Sequence, residues 1–126
     1  MTLRNKLPSL SANQIECLEK FAVFEISLEK LRRCLSDVMK FNFDADDGRR
    51  WMETHFELPV PGVLITKTHL EQALTKKRDG LITDRQMIEW ATMILHNNAY
   101  ELDEKDEDLL AEWLNDISFD LRPMDG

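Results

Sequence analysis

An apolar stripe runs through the first third of the chain, where hydrophobic side chains recur at alternating spacings of four and three. Its members are Cys17, Phe21, Phe24, Leu28, Leu31, Leu35 and Val38. This spacing puts them on one helical face and predicts a single long helix over about Ala12–Lys40. Ser11 and Gln14 match a capping box at its start. We expect this helix to pack as a spine against later helices, with coiled-coil dimerisation as the alternative.

The pattern changes after this helix, where a strand-like alternation places three apolar residues on one face: Phe41, Phe43 and Ala45. Asp47-Gly48 is a hairpin-turn signal. Arg49–Leu58 then returns either as a second strand or as a short helix containing Trp51, and both alternatives stay open. Pro59–Gly62 predicts an extended connection, and Val63–Ile65 a brief extended segment.

Three further helices follow. Thr66 or Thr68 caps the second, and Gly80 suits the left-handed position after its end. The capping box Thr83–Gln86 begins a helix over about Asp84–Asn97, with one apolar face and Trp90 at its edge. Asp103 caps a last helix over about Glu104–Ser118, whose predicted inner face is Leu110, Trp113, Leu114 and Ile117.

The fold class that these elements predict is mainly α. We expect a single-domain helical bundle of about four principal helices, with a small β-hairpin as an option between the first and second. The chain has 126 residues, the size of one domain. Residues 1–10 are expected to form a loose arm, and residues 122–126 a tail.

The two cysteines, Cys17 and Cys34, both fall in the predicted first helix. On one straight helix they would stand about 25 Å apart along the axis. We therefore expect two reduced, half-buried thiols that do not pair with each other.

Charge changes the picture at the C-terminal end. The net charge is −8, yet residues 1–100 carry 14 acids and 14 bases, and residues 101–126 carry ten acids against Lys105 and Arg122. Such a surface disfavours nucleic acid and anionic membranes as partners. The sequence also lacks a signal peptide and an apolar run long enough to span a membrane. We expect a cytoplasmic protein.

Candidate chemistry is sparse. An EF-hand loop centred on Gly48 or on Gly80 lacks the required ligands, and no nucleophile elbow or phosphate loop is present. The three histidines have no ligand-pair spacing: His55, His69 and His96. The helices on either side of Gly80 form a helix–turn–helix pattern whose second helix is a poor reader of bases. We expect no cofactor, no metal and no enzymatic activity. The alternatives are a small metal-dependent hydrolase and a helical dimerising scaffold.

The candidate binding residues form one acidic cluster with an aromatic neighbour: Tyr100, Glu101, Asp103, Glu104, Asp106, Glu107, Asp108 and Glu112. Capping and the helix dipole need two or three of these acids. The surplus repels itself, so it serves either solubility or electrostatic steering towards a basic partner. Tyr100 and Trp113 are the candidate partner anchors, and for Trp113 a core position is favoured over this role.

Several residues over 63–120 resemble small bacterial immunity proteins of toxin–immunity systems, including contact-dependent inhibition: Ile65-Thr66, His69-Leu70, Ala73-Leu74, Gly80, Ile82-Thr83 and Trp90-Ala91. The resemblance implies a small acidic cytoplasmic protein that binds a cognate toxin domain, often a basic nuclease. The leading hypothesis is therefore an immunity or antitoxin-like inhibitor, a monomer or weak dimer, whose acidic surface occludes a basic site.

Overall fold

The computed structural model describes residues 7–44 and 50–121. Within them the chain forms five α-helices, four short strands and a 3₁₀ helix (Glu104–Asp106). The helices and strands follow the order α1 (Ala12–Ala22), α2 (Leu28–Cys34), β1 (Met39–Asn42), β2 (Trp51–Thr54), β3 (Val63–Ile65), α3 (Lys67–Arg78), α4 (Asp84–His96), β4 (Tyr100–Leu102) and α5 (Glu107–Ile117). The prediction of a four-helix bundle is wrong. Helices dominate, but the fold is mixed α/β.

The predicted long helix is two helices, because the chain turns sharply after Ala22. The Glu25 N–H donates to the Lys20 carbonyl at 2.8 Å, and the Phe24 N–H donates to the Phe21 carbonyl at 3.0 Å. These bonds are those of a Schellman helix end. Phe24 takes the left-handed position with φ of 63°, where glycine is usual. The Ser27 hydroxyl then accepts from the Lys30 N–H at 3.1 Å and caps α2.

Packing against Trp90 explains why a phenylalanine occupies the left-handed position. The Phe24 and Trp90 rings stack with their centroids 5.4 Å apart. The Trp90 Nε1–H also donates to the Ala22 carbonyl at 3.1 Å, at the end of α1. Trp90, predicted at the edge of its helix, is fully buried. One aromatic side chain therefore satisfies a helix end and offsets the backbone strain beside it.

Strands β1 and β2 pair antiparallel, with Met39 opposite Thr54 and Asn42 opposite Trp51. This pairing decides between the two alternatives for the segment around Trp51 in favour of a strand. Phe41 and Phe43 are buried on one face, as their alternation predicted. The predicted positions of Ala45 and of the Asp47-Gly48 turn lie outside the described residues.

The expected loose arm is attached in its second half. The Glu57 N–H donates to the Pro8 carbonyl at 2.8 Å, and Ser9 forms an isolated parallel bridge with Glu57. Residues 1–6 of the arm and the expected tail over residues 122–126 lie outside the described residues.

Strands β3 and β4 form a parallel pair that brings Val63 beside Tyr100 and Ile65 beside Leu102. The extended segment over Val63–Ile65 was predicted, whereas its partner strand was not. The backbones approach closely at Gly62, where a Cβ atom would stand 2.7 Å from Glu101 Cγ. The pairing of β3 with β4 therefore fixes the position at which the acidic residues begin on the surface.

The helix ends with glycine or a capping box follow the predictions. Ser11 pairs with Gln14, and Thr83 pairs with Gln86, in reciprocal capping boxes. Gly80 follows α3 with φ of 74°. Helix α3 begins after Thr66, whose backbone N–H donates to His69 Nδ1 at 3.0 Å, so the cap is not built from Thr68.

The apolar stripe of the first third of the chain packs within the protein's own core. Its buried members belong to the same core cluster as residues of β3, α4 and α5: Cys17, Phe21, Leu31, Leu35 and Val38. Phe24 and Leu28 pack against that cluster from its edge. The stripe is therefore not an exposed seam for a coiled-coil dimer. None of the helices in the described part of the chain has the length and apolarity to cross a membrane.

Candidate functional site

The acidic segment, Glu101–Glu112, leaves the core through β4 and continues into α5. Its backbone is held in place at the start, where the Asp103 N–H donates to the Ile65 carbonyl at 2.8 Å. The 3₁₀ helix then leads directly into α5. A rigid strand and a helix therefore present these side chains, which limits the entropy lost on binding.

Folding uses only part of this acidity. The Asp103 side chain accepts from the Lys105 N–H at 3.3 Å and caps the 3₁₀ helix. Asp106 precedes α5 but makes no capping bond through its side chain. Glu107 and Asp108 lie in the first turn of α5, where carboxylates complement the helix dipole. Asp103, the first turn of the 3₁₀ helix and the first turn of α5 thus account for five carboxylates and leave Glu101 and Glu112 without a capping or dipole role.

The acidic segment is not neutralised by neighbouring bases. Within residues 7–44 and 50–121, ion pairs such as Lys20–Glu16 and Lys77–Asp84 lie elsewhere, and none involves its seven carboxylates. Glu101, Glu104, Glu107, Asp108 and Glu112 are exposed, while Asp103 and Asp106 are half-buried. Seven acids against the single base Lys105 give this surface a strongly negative potential.

Tyr100 serves the core and is not an exposed anchor. Its ring is only 7% exposed, and its hydroxyl donates to the Leu18 carbonyl at 2.7 Å. Burial raises the pKa of Tyr100 well above its usual value, so the hydroxyl stays protonated as a donor. The expectation that this ring contacts a partner has no support in its position.

Trp113 and Leu109, unlike Tyr100, are large apolar side chains that stand exposed beside the acidic residues. Trp113 is 42% exposed and Leu109 is 38% exposed, so the assignment of Trp113 to the core is wrong. The two residues are one helical turn apart and lie side by side on α5. The opposite face of the helix carries Leu110 and Leu114, which are fully buried.

Acidic residues border this apolar pair on the helix surface. Glu112 and Asp116 are exposed and lie three and seven residues after Leu109, so they share its side of α5. Leu109 and Trp113 thus form an apolar centre with an anionic border. We call Leu109, Glu112, Trp113 and Asp116 the outer face of α5. Sequence periodicity missed Leu109 because its neighbour Leu110 is the residue that fits the inward pattern.

The histidines have separate positions and separate environments. His69 accepts the capping bond at the start of α3, and burial lowers its pKa. Burial also lowers the pKa of His96, at the end of α4, against an opposing effect of Asp120. Across the described ranges, no group of three histidine, cysteine or carboxylate side chains is placed to hold a metal ion.

Comparison with known proteins assigns no class to this fold and surface. No family model, no curated protein and no solved structure matches the chain. The resemblance to immunity proteins therefore remains a prediction from the sequence.

Proposed function

We propose that this chain is a non-enzymatic binding protein, an immunity or antitoxin-like inhibitor that covers a basic site on a protein partner. The observation that carries the proposal is the outer face of α5. Leu109 and Trp113 are exposed there although the same helix buries Leu110 and Leu114 completely. Folding explains the inner pair and leaves the outer pair without a role.

The chemistry of the outer face favours a protein partner. Tryptophan is among the residues that most often dominate binding energy at interfaces, especially near the centre of a patch. A polar or charged rim around an apolar centre is the usual anatomy of such a surface. The partner would offer an apolar pocket for Trp113, bordered by lysine or arginine side chains.

The carboxylates of the acidic segment favour a basic partner. Like charges at neighbouring helical positions, such as Asp108 and Glu112, destabilise a helix by about 0.2–0.5 kcal/mol per pair. A basic surface would relieve this repulsion on binding and would be steered towards the acidic segment during the encounter. A toxin domain with a cationic substrate site has this chemistry.

The test uses the product of a neighbouring reading frame that encodes a candidate toxin domain. Association with this chain is measured by stopped-flow at low and high salt. The double reversal Glu104→Lys with Glu112→Lys should slow association roughly 10-fold or more at low salt, and less at high salt.

A matched control separates the effect of local charge on the association rate from the effect of total charge. Glu53→Lys with Glu71→Lys makes the same change in net charge at two exposed positions on β2 and α3. It should leave association near the wild-type rate. Equal slowing by both double variants would show that only total charge matters, and an unchanged rate with Glu104→Lys and Glu112→Lys would refute the steering role.

A further inference from the structure

The two cysteines meet in the folded protein, contrary to the expectation from a single straight helix. Because the chain reverses at Phe24, Cys34 at the end of α2 returns to Cys17 on α1, and the two Sγ atoms lie 2.6 Å apart. Both are free cysteines. The two Sγ atoms need to approach by only about 0.6 Å to reach the length of an S–S bond.

The thiols lie in a surface cavity of about 540 Å³ that is lined mainly by basic charge. Lys20, Lys30 and Arg33 line it, against the single acid Glu16. This is a positive site on a chain whose net charge is −8. Cys34 is half-buried, whereas Cys17 is only 8% exposed. An incoming reagent therefore reaches Cys34 first.

We propose that Cys17 and Cys34 form a reversible disulfide-exchange site for an anionic low-molecular-weight disulfide of the glutathione type. The Cys34 thiolate attacks one sulfur of the reagent, which forms a mixed disulfide and releases one thiolate. The Cys17 thiolate then attacks Cys34 Sγ and expels the second. Two protein thiols are oxidised, one small disulfide is reduced to two thiols, and no other reactant is required. The site is independent of the outer face of α5.

The surroundings of Cys34 make this exchange slow at neutral pH. Burial, with smaller contributions from the Cys17 thiol and Asp37 that outweigh the opposing effect of Lys30, raises the pKa of Cys34 to about 11. The reactive thiolate is therefore scarce, and its fraction grows about tenfold per pH unit below the pKa. The charged groups around the pair come from α1, α2 and the turn after α2: Glu16, Lys20, Lys30, Arg33 and Asp37.

The bond would tie α1 to α2 across the turn at Phe24. A disulfide would close the loop between Cys17 and Cys34 and restrict the unfolded chain. The oxidised protein should therefore melt roughly 5–15 °C higher than the reduced protein. Equilibration with oxidised and reduced glutathione, read by mass spectrometry of the full chain, gives the ratio of disulfide to dithiol. The native protein should favour the disulfide about 100-fold more than the chain in denaturant does.

Variants separate the two steps. Cys17→Ser should accumulate a glutathione adduct at Cys34, whereas Cys34→Ser should react far more slowly because Cys17 is buried. Lys30→Gln with Arg33→Gln should slow oxidation by glutathione disulfide but not by neutral 2-hydroxyethyl disulfide. A native disulfide no more favoured than in denaturant, or a product carrying two glutathiones, would overturn the proposal. Equal slowing with both reagents would overturn the selectivity for anions.

Discussion

The first apolar stripe and the last helix look alike as patterns but end differently in the fold. Every member of the stripe, from Cys17 to Val38, lies in the core or packs against it, because the chain breaks at Phe24 and wraps its second half back. On α5, Leu110 and Leu114 are buried while Leu109 and Trp113 remain exposed. Folding therefore explains the apolar residues of the first region but does not explain Leu109 and Trp113 in the second.

The largest expected effect is at the turn of the first region. Phe24→Ala removes the stack on Trp90 and keeps the left-handed strain, so unfolding free energy should fall by about 2–3 kcal/mol. Phe24→Gly loses the same stack but relieves the strain, and should be more stable than Phe24→Ala by about 1 kcal/mol. Urea unfolding of both variants measures this. Greater stability of the alanine variant would refute the strained turn.

The end of α3 offers a matched control for that turn. Gly80 occupies the same left-handed position with φ of 74°, and a Cβ atom there would meet nothing within 4 Å. Gly80→Ala should therefore lower stability by about 1 kcal/mol through backbone strain alone. A change near zero in urea unfolding would show that these helix ends tolerate side chains without packing.

The helix ends of this protein differ in how well local sequence patterns predict them. Gly80, Ser11 and Thr83 carry their signals within four residues, and the structure confirms each of them. The turn at Phe24 depends on a ring 66 positions along the chain, so the residues of the turn itself do not mark it. The Ser27 cap of α2 was the only nearby signal.

The turn at Phe24 also changes which residues meet elsewhere in the fold. The predicted straight helix places Cys17 and Cys34 about 25 Å apart, whereas in the structure their Sγ atoms lie 2.6 Å apart. Strand β4 was missed for a related reason, since its three residues are defined by pairing with β3 after two intervening helices. The acidic segment can be located from charge alone, but the exposure of Trp113 beside it cannot. Tyr100 and Trp113 have similar sequence surroundings and opposite burial.

The smallest expected effect is on the second region and has the opposite sign. Glu112 lies four residues from both Asp108 and Asp116 on α5. Glu112→Gln removes both like-charge pairs and should raise the unfolding free energy by roughly 0.5 kcal/mol at low salt. Urea unfolding at low and high salt tests this, because salt should erase the gain. A loss of stability would mean that the fold itself uses Glu112.

The outer face of α5 is tested most directly by the double variant Leu109→Ser with Trp113→Ser. If these residues serve binding and not folding, its melting temperature should stay within a few degrees of the wild type. Its affinity for the candidate toxin domain should fall at least about 100-fold, as expected for loss of a tryptophan hot spot. Calorimetric titration measures the affinity. Unchanged affinity with an intact fold, or unfolding of the variant, would contradict the account.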